Sequence, residues 1–233
     1  MRILAIETAT IEVGVALADD SGLLATVTAR PGRRQAETLH PLIADACRLA
    51  GVELAGLDAI AVDIGPGLFT GLRVGVAAAK ALAAGLGIPL ATATSLEILA
   101  AACPGARGSV VPVIDMRRGE LAWLMAGRGR EEFSLGPPSM LAGELSALGV
   151  PLLVVGDGAL RHQKELAASA PAGTVFGGTE LAAAPVASLV VLAMAAMGAG
   201  RVFDPAEVAP LYGREADARI NWSSRESREA VSR

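Results

Sequence analysis

Aromatic side chains make up only 3% of the chain, and histidine occurs twice in 233 residues. A core this short of rings must be packed from Ala, Val, Leu and Ile, and the 52% hydrophobic content supplies them. Cysteine is just as scarce. Cys47 and Cys103 stand far apart, outside any Cys-x-x-Cys pattern and within Ala/Leu-rich stretches, so they read as two buried thiols rather than a disulfide or metal site. His40 and His162 are flanked by ordinary helix residues, which suits exposed or capping roles better than catalysis. Charged residues total 19% and the formal net charge is −4. That balance excludes wholesale disorder and disfavours a surface dedicated to nucleic acid, although the basic loop Arg30–Arg34 leaves room for a local contribution. No run approaches the roughly 20 uninterrupted apolar residues of a membrane span. Residues 181–199 come nearest, but Pro185 and the many alanines favour a buried helix. Met1-Arg2 leads straight into a strand without the basic, apolar, small order of a signal peptide, so the expected location is cytoplasmic.

The apolar runs Arg2–Thr8, Val13–Ala18 and Leu23–Thr28, with a turn at Asp19-Asp20-Ser21-Gly22, predict an antiparallel meander. Between Gln35 and Ala50 the residues Leu39, Leu42, Ile43, Ala46 and Leu49 recur at helical spacing, and Gly51 supplies a stop. Pro41 must sit in the first turn of that helix or kink it. A buried strand at 57–64 and a helix from Thr70, as cap, to about Leu86 follow. Next come a strand at 89–93 and a helix capped by Thr94 or Ser95. The second half repeats the outline. Strands are expected at 109–114, 120–126 and 132–135, a helix at 139–148, a strand at 151–155, a single helix at 159–168, a strand at 174–176 and a long helix at 185–197. The expected organisation is a first lobe over 1–104, a smaller second lobe over 105–184, an element packing back over 185–214, and a disordered, charge-alternating tail over 215–233.

The chemistry-bearing stretch is Asp63-Ile64-Gly65-Pro66-Gly67-Leu68-Phe69-Thr70-Gly71-Leu72-Arg73-Val74-Gly75. A strand, a glycine turn and a helix start make a corner whose free N–H groups attract anions. The same glycines also let two backbones approach closely. The stretch lacks the Gly-Lys-Ser/Thr end of a P-loop and the Gly-x-Gly-x-x-Gly spacing of a dinucleotide fold. Gly71, Gly75, Ala78 and Leu82 fall on one helical face, and without side chains at 71 and 75 another helix could approach closely. The stripe Leu39, Leu42, Ile43 and Ala46 offers a second such face, and both could instead cover the protein's own sheet. Asp115-Met116-Arg117-Arg118-Gly119 reads as a turn in which Asp115 accepts backbone N–H bonds. Serine-based hydrolysis finds no Gly-x-Ser-x-Gly elbow and no His/Asp partner set.

With Ile6-Glu7-Thr8-Ala9-Thr10 at the start and the glycine motif in place, the sequence resembles the TsaB (YeaZ) family. Further landmarks of the resemblance are Gly87-Ile88-Pro89, Thr94-Ser95-Leu96-Glu97, Asp115 to Glu120, and Pro210-Leu211-Tyr212-Gly213-Arg214. It implies an α/β, actin-like (ASKHA, ribonuclease H-like) duplicated fold with two similar lobes. It also implies a non-catalytic partner in making N6-threonylcarbamoyladenosine beside the anticodon of tRNA. The partners implied are the catalytic subunit TsaD, the ATPase TsaE, a homodimer when TsaD is missing, and tRNA only through the complex, with no membrane. The partner surface would be Leu39, Leu42, Ile43, Ala46, Gly71, Gly75, Ala78 and Leu82.

No cofactor is required on this reading, although weak or interface-dependent ATP/ADP binding would use the remnant set Glu7, Thr8, Thr10, Gly65, Gly67, Gly156 and Gly158. Two departures bear on that set. The family usually has aspartate where this chain has Glu7, and the longer side chain would crowd a phosphate. Ser95 and Leu99 stand where TsaD carries a His-x-x-x-His metal pair, so no metal site of that type is expected. The alternative reading is an ATP-dependent transferase or kinase acting on a small molecule.

Overall fold

A computed structural model describes residues 1–32, 34–106, 109–125 and 132–213. The first sheet begins with the expected meander: β1 (Ile3–Glu7), β2 (Val13–Asp19) and β3 (Gly22–Ala29), paired antiparallel. After α1 (Gln35–Ala50), strand β4 (Ala59–Asp63) pairs parallel to β1. Then α2 (Phe69–Leu86) leads to β5 (Leu90–Ala93), parallel to β4, giving the order β3-β2-β1-β4-β5. The short helix α3 (Ser95–Ala101) closes this part.

The second sheet is built from β6 (Val110–Asp115), β7 (Leu121–Trp123), β8 (Ser134–Gly136), β9 (Leu153–Val155) and β10 (Val175–Phe176). Its order is β10-β9-β6-β7-β8, with β6/β7 and β7/β8 antiparallel and β6/β9 and β9/β10 parallel. Read from the other edge, this is the first sheet again, strand for strand. Helix α4 (Pro138–Leu148) precedes β9, and α5 (Asp157–Arg161), α6 (Gln163–Ala167) and α7 (Val186–Gly198) complete the α-helices among the described residues. The duplication is therefore one of topology.

The strands of the first sheet alternate in size as well as direction. One face carries Leu4, Ile6, Val15, Leu17, Ile60, Val62 and Leu90 and is covered by α1 and α2. The other carries Ala5, Ala16, Ala18, Ala59, Ala61, Ala91 and Ala93, under α3 and α7. Alanines let α7 lie close: a methyl group at Gly14 would touch Val186 at 3.0 Å. The cluster on this side runs on into Val110, Ile114, Leu124 and Val155 of the second half, so the two lobes share one apolar core.

Four details depart from expectation. Thr70 does not cap α2; Leu68 holds the N-cap position, and its N–H donates to the Ala9 carbonyl at 2.7 Å. The helix expected at 159–168 is two five-residue pieces meeting at His162, whose φ of −109° and ψ of 15° leave the helical region. Pro41 lies beyond the first turn of α1, on its exposed side, where the missing N–H costs one bond without ending the helix. Cys47 is half-buried rather than buried; Cys103 is buried, and both are free. The tail over 215–233 lies outside the described residues.

Candidate functional site

Strand β1 ends on Glu7 and its parallel neighbour β4 ends on Asp63, one register step beyond the pair Ile6 and Val62. Both carboxyls therefore project from the alanine face at adjacent strand ends, and both are buried. Glu7 Oε1 accepts from the Thr10 N–H (2.8 Å) and hydroxyl (3.1 Å), while Oε2 is buried without a hydrogen-bond partner among the described residues. Asp63 Oδ1 accepts from the Gly65 N–H at 2.7 Å. Ser95 Oγ lies 2.8 and 2.7 Å from the two Asp63 oxygens. Burial pushes the Asp63 carboxyl up to about 7. Burial, and then the Asp63 charge, raise Glu7 well above the usual carboxylate range.

The glycine motif packs directly on this hairpin. Methyl groups at Gly67, Gly71 and Gly75 would collide with the Ala9 carbonyl, the Thr8 carbonyl and the Thr8 hydroxyl, in that order. These three glycines, four residues apart, form the groove into which the β1–β2 loop settles, and Thr8 Oγ1 donates back to the Gly71 carbonyl at 2.7 Å. Gly65 has a φ of 96°, a conformation that strongly favours glycine.

A nucleotide phosphate, which this type of fold can carry on its first hairpin, does not fit these residues. The Thr8 and Thr10 hydroxyls already serve internal bonds, and the helix start faces the loop backbone, so neither offers a free donor to an anion. Two grooves, of about 770 Å³ beside the end of α2 and residues 202–206, and about 500 Å³ beneath residues 207–211, are lined by none of Glu7, Thr8 or Thr10.

Gly156 and Gly158 sit at the corresponding corner of the second lobe. They approach the Val113 carbonyl and the Ile114–Asp115 backbone, and Asp157 Oδ1 accepts the Asp115 N–H at 2.9 Å. Burial raises the Asp157 carboxyl. Asp115 accepts the Arg117 N–H at 2.8 Å as expected, and also pairs with the Arg117 and Arg161 guanidiniums at 3.0 and 3.2 Å. Each lobe thus locks a glycine-led helix onto its own first hairpin.

The stripe residues are placed otherwise than their spacing suggests. Leu39, Leu42, Ile43, Ala46, Gly71 and Gly75 are all buried in this chain, the first four against the sheet and the two glycines against the hairpin. Ala78 and Leu82 are half-buried against the same core. The close neighbour of Gly71 and Gly75 is Thr8, not a second helix, so a side chain at either position would collide with the hairpin. These helices leave exposed Ala36, Glu37, His40, Pro41, Ala44, Arg48 and, contrary to its place in the expected stripe, Leu49 on α1, and Phe69, Thr70, Arg73, Ala77, Ala81, Ala84 and Gly85 on α2. By length and composition alone α2 could cross a membrane, yet its inner side is fixed between sheet and hairpin.

Sequence reasoning gave Asp63 no role and Ser95 only that of a possible cap, which Thr94 takes; the contact of Ser95 with Asp63 becomes visible only in the fold. It also missed the meeting of Arg73 with Tyr212, although each stands within a stretch singled out above.

A sheet of order β3-β2-β1-β4-β5 formed twice, with helices on its faces, defines an actin-like duplicated α/β protein. Residues 23–134 match the profile of the family described as TsaD, tRNA N6-adenosine threonylcarbamoyltransferase. The chain is 36% identical over 125 residues to the tRNA threonylcarbamoyladenosine biosynthesis protein TsaB of Escherichia coli, covering 53% of this chain and 54% of that protein. It is 37% identical over 125 residues to TsaB of Bacillus subtilis, covering 52% and 53%. The matched region spans about half the length of these curated relatives. A crystal structure from Pseudomonas aeruginosa, described as having similarity to peptidase YEAZ, superposes with a TM-score of 0.78 at 27% identity over 91% of this chain and 99% of that one. The chain is thus similar to TsaB/YeaZ proteins in sequence over about half its length and in fold over most of it.

Proposed function

We propose that this chain serves the formation of N6-threonylcarbamoyladenosine in tRNA as a non-catalytic partner of a TsaD-type transferase. It docks on that subunit through the outer faces of α1 and α2. The observation that carries this reading is α2 itself: an 18-residue apolar helix, only a third buried, with Thr70, Ala77, Ala81 and Ala84 exposed in a smooth ridge. Apolar surface of this extent is commonly covered by a partner. The poor fit of a phosphate to the first hairpin supports a role without catalysis of its own. On the same reading TsaE joins the complex, two copies of this chain associate when TsaD is missing, tRNA is met through the complex, and the setting is the cytoplasm.

Co-expression with the TsaD subunit of the same organism tests it. Ala77→Arg, which adds bulk and charge to the ridge, should abolish co-purification while leaving the melting temperature unchanged. Recovery of that variant with TsaD at wild-type yield overturns the docking face. Calorimetry with ATP and Mg²⁺ tests the rest, since micromolar, metal-dependent binding to the isolated chain would favour a transferase or kinase instead.

A further inference from the structure

Two stretches far apart in the chain meet at the start of α2. The Leu211 N–H donates to the Ile64 carbonyl at 2.7 Å, which brings residues 211–213 past the end of β4 and sets Tyr212 beside α2. There Arg73 Nε donates to the Tyr212 hydroxyl at 3.1 Å, and the guanidinium carbon lies 3.9 Å from the centre of the Phe69 ring and 5.7 Å from that of Tyr212. The two rings are 5.2 Å apart, inclined by 40°. The cation stacks on the Phe69 ring and is tethered by the Tyr212 hydroxyl beside it, an arrangement that fixes a side chain otherwise free to move.

The trio nevertheless faces outward. Phe69 is 45% and Tyr212 37% exposed in a chain with few rings to spare, and Arg73 is exposed as well. Arg30, Arg48, Arg117 and Arg161 each pair with a carboxylate, whereas Arg73 meets none among the described residues. Among the described residues its terminal N–H groups meet no acceptor, and they form a planar fork, the geometry that receives a carboxylate by two parallel bonds. The positive end of α2 adds attraction for an anion at this place. Next to it the ridge Ala77, Ala81 and Ala84 is uncharged, and Lys80 is engaged with the Ala206 and Val208 carbonyls. A phosphate backbone would need further cations along its path, while a protein needs one anchor beside an apolar surface.

We infer that Arg73, held by Phe69 and Tyr212, is the anchor for an acidic side chain of the protein that docks on α2, an inference that rests on the docking face proposed above. Fixing the guanidinium before contact lowers the ordering cost of binding, and removing it leaves the partner's carboxylate buried and unpaired.

Titration calorimetry of the full chain against the TsaD subunit of the same organism, at low and high salt, tests the anchor. Arg73→Ala should weaken binding at least about 30-fold and flatten its salt dependence, with an unchanged melting temperature. Tyr212→Phe, which removes only the hydroxyl that receives Arg73 Nε, should weaken it several-fold in the same direction. Wild-type affinity of Arg73→Ala overturns the anchor. If Ala77→Arg still abolishes binding, the docking face survives that result; if it does not, both fall. A lower melting temperature for Arg73→Ala without loss of affinity would make the trio an internal clasp. Loss of tRNA binding by the isolated chain, with TsaD binding intact, would assign it to nucleic acid.

Discussion

Replacing Asp63 by asparagine should stabilise the protein in alkaline buffer. Asp63 is fully buried, and its carboxyl stands near 7 against an ordinary 3.8, chiefly through burial, with the Gly65 and Ser95 bonds opposing the rise. A carboxyl whose pKa is higher folded than unfolded holds its proton more tightly in the native state. The native protein therefore carries more protons than the unfolded chain between about pH 4 and 7, and its stability falls as pH rises through that window. Below about pH 4 the site costs nothing. Above about 7 the penalty from Asp63 is complete, on the order of 4 kcal/mol. Glu7, raised by burial and by Asp63, adds to the decline in the same direction.

Asparagine keeps the geometry without the charge. Its carbonyl oxygen can still accept the Gly65 N–H, and its amide can donate to Ser95 Oγ. That second donor matters because Ser95 has one hydrogen for two carboxyl oxygens at 2.8 and 2.7 Å, so one contact calls for a proton on Asp63. Urea denaturation of the wild type and Asp63→Asn from pH 5 to 9 is the assay. The wild type should weaken steadily, and the variant should vary less and exceed it by at least about 1 kcal/mol at pH 8. Wild-type stability that is flat or rising from pH 5 to 8, or a variant weaker than wild type at pH 8, refutes the reasoning.

Gly71→Ala should destabilise by about 1–3 kcal/mol despite the better helix propensity of alanine, because the added methyl meets the Thr8 backbone; urea denaturation at neutral pH measures it. Thr94→Ala removes a complete capping box, in which Thr94 Oγ1 accepts the Glu97 N–H and Glu97 accepts the Thr94 N–H, and should cost about 1 kcal/mol by the same measurement. A cost below about 0.3 kcal/mol would mean that α3 is held by packing alone.

Much of the fold was legible because its signals are local. The stripe Leu39, Leu42, Ile43 and Ala46 and the stop at Gly51 give α1 its observed limits, and the meander follows from apolar runs separated by a turn. What escaped was decided at a distance. Thr70 is a good cap by type, but the hairpin supplies Ala9 as a partner for the Leu68 N–H and the helix starts earlier. The glycine spacing announced a close approach without naming the neighbour, which is Thr8 rather than another helix. Similarly, Glu7 and Asp63 are 56 positions apart in number and become a pair only through the parallel register of β1 and β4.

The apolar cluster shared by the lobes has a mechanical meaning. In a two-lobed protein that clamps a ligand, the halves swing about a hinge. Here Ile98 and Leu99 of α3, Ile114 and Val155 of the second sheet, and Leu189 of α7 belong to one packed body, and Leu99 lies close to the Gly156 turn. Prising the lobes apart would expose side chains worth about 1.5–3 kcal/mol each, far beyond thermal energy for even a few of them. The shared packing ties one lobe to the other through α3 and α7.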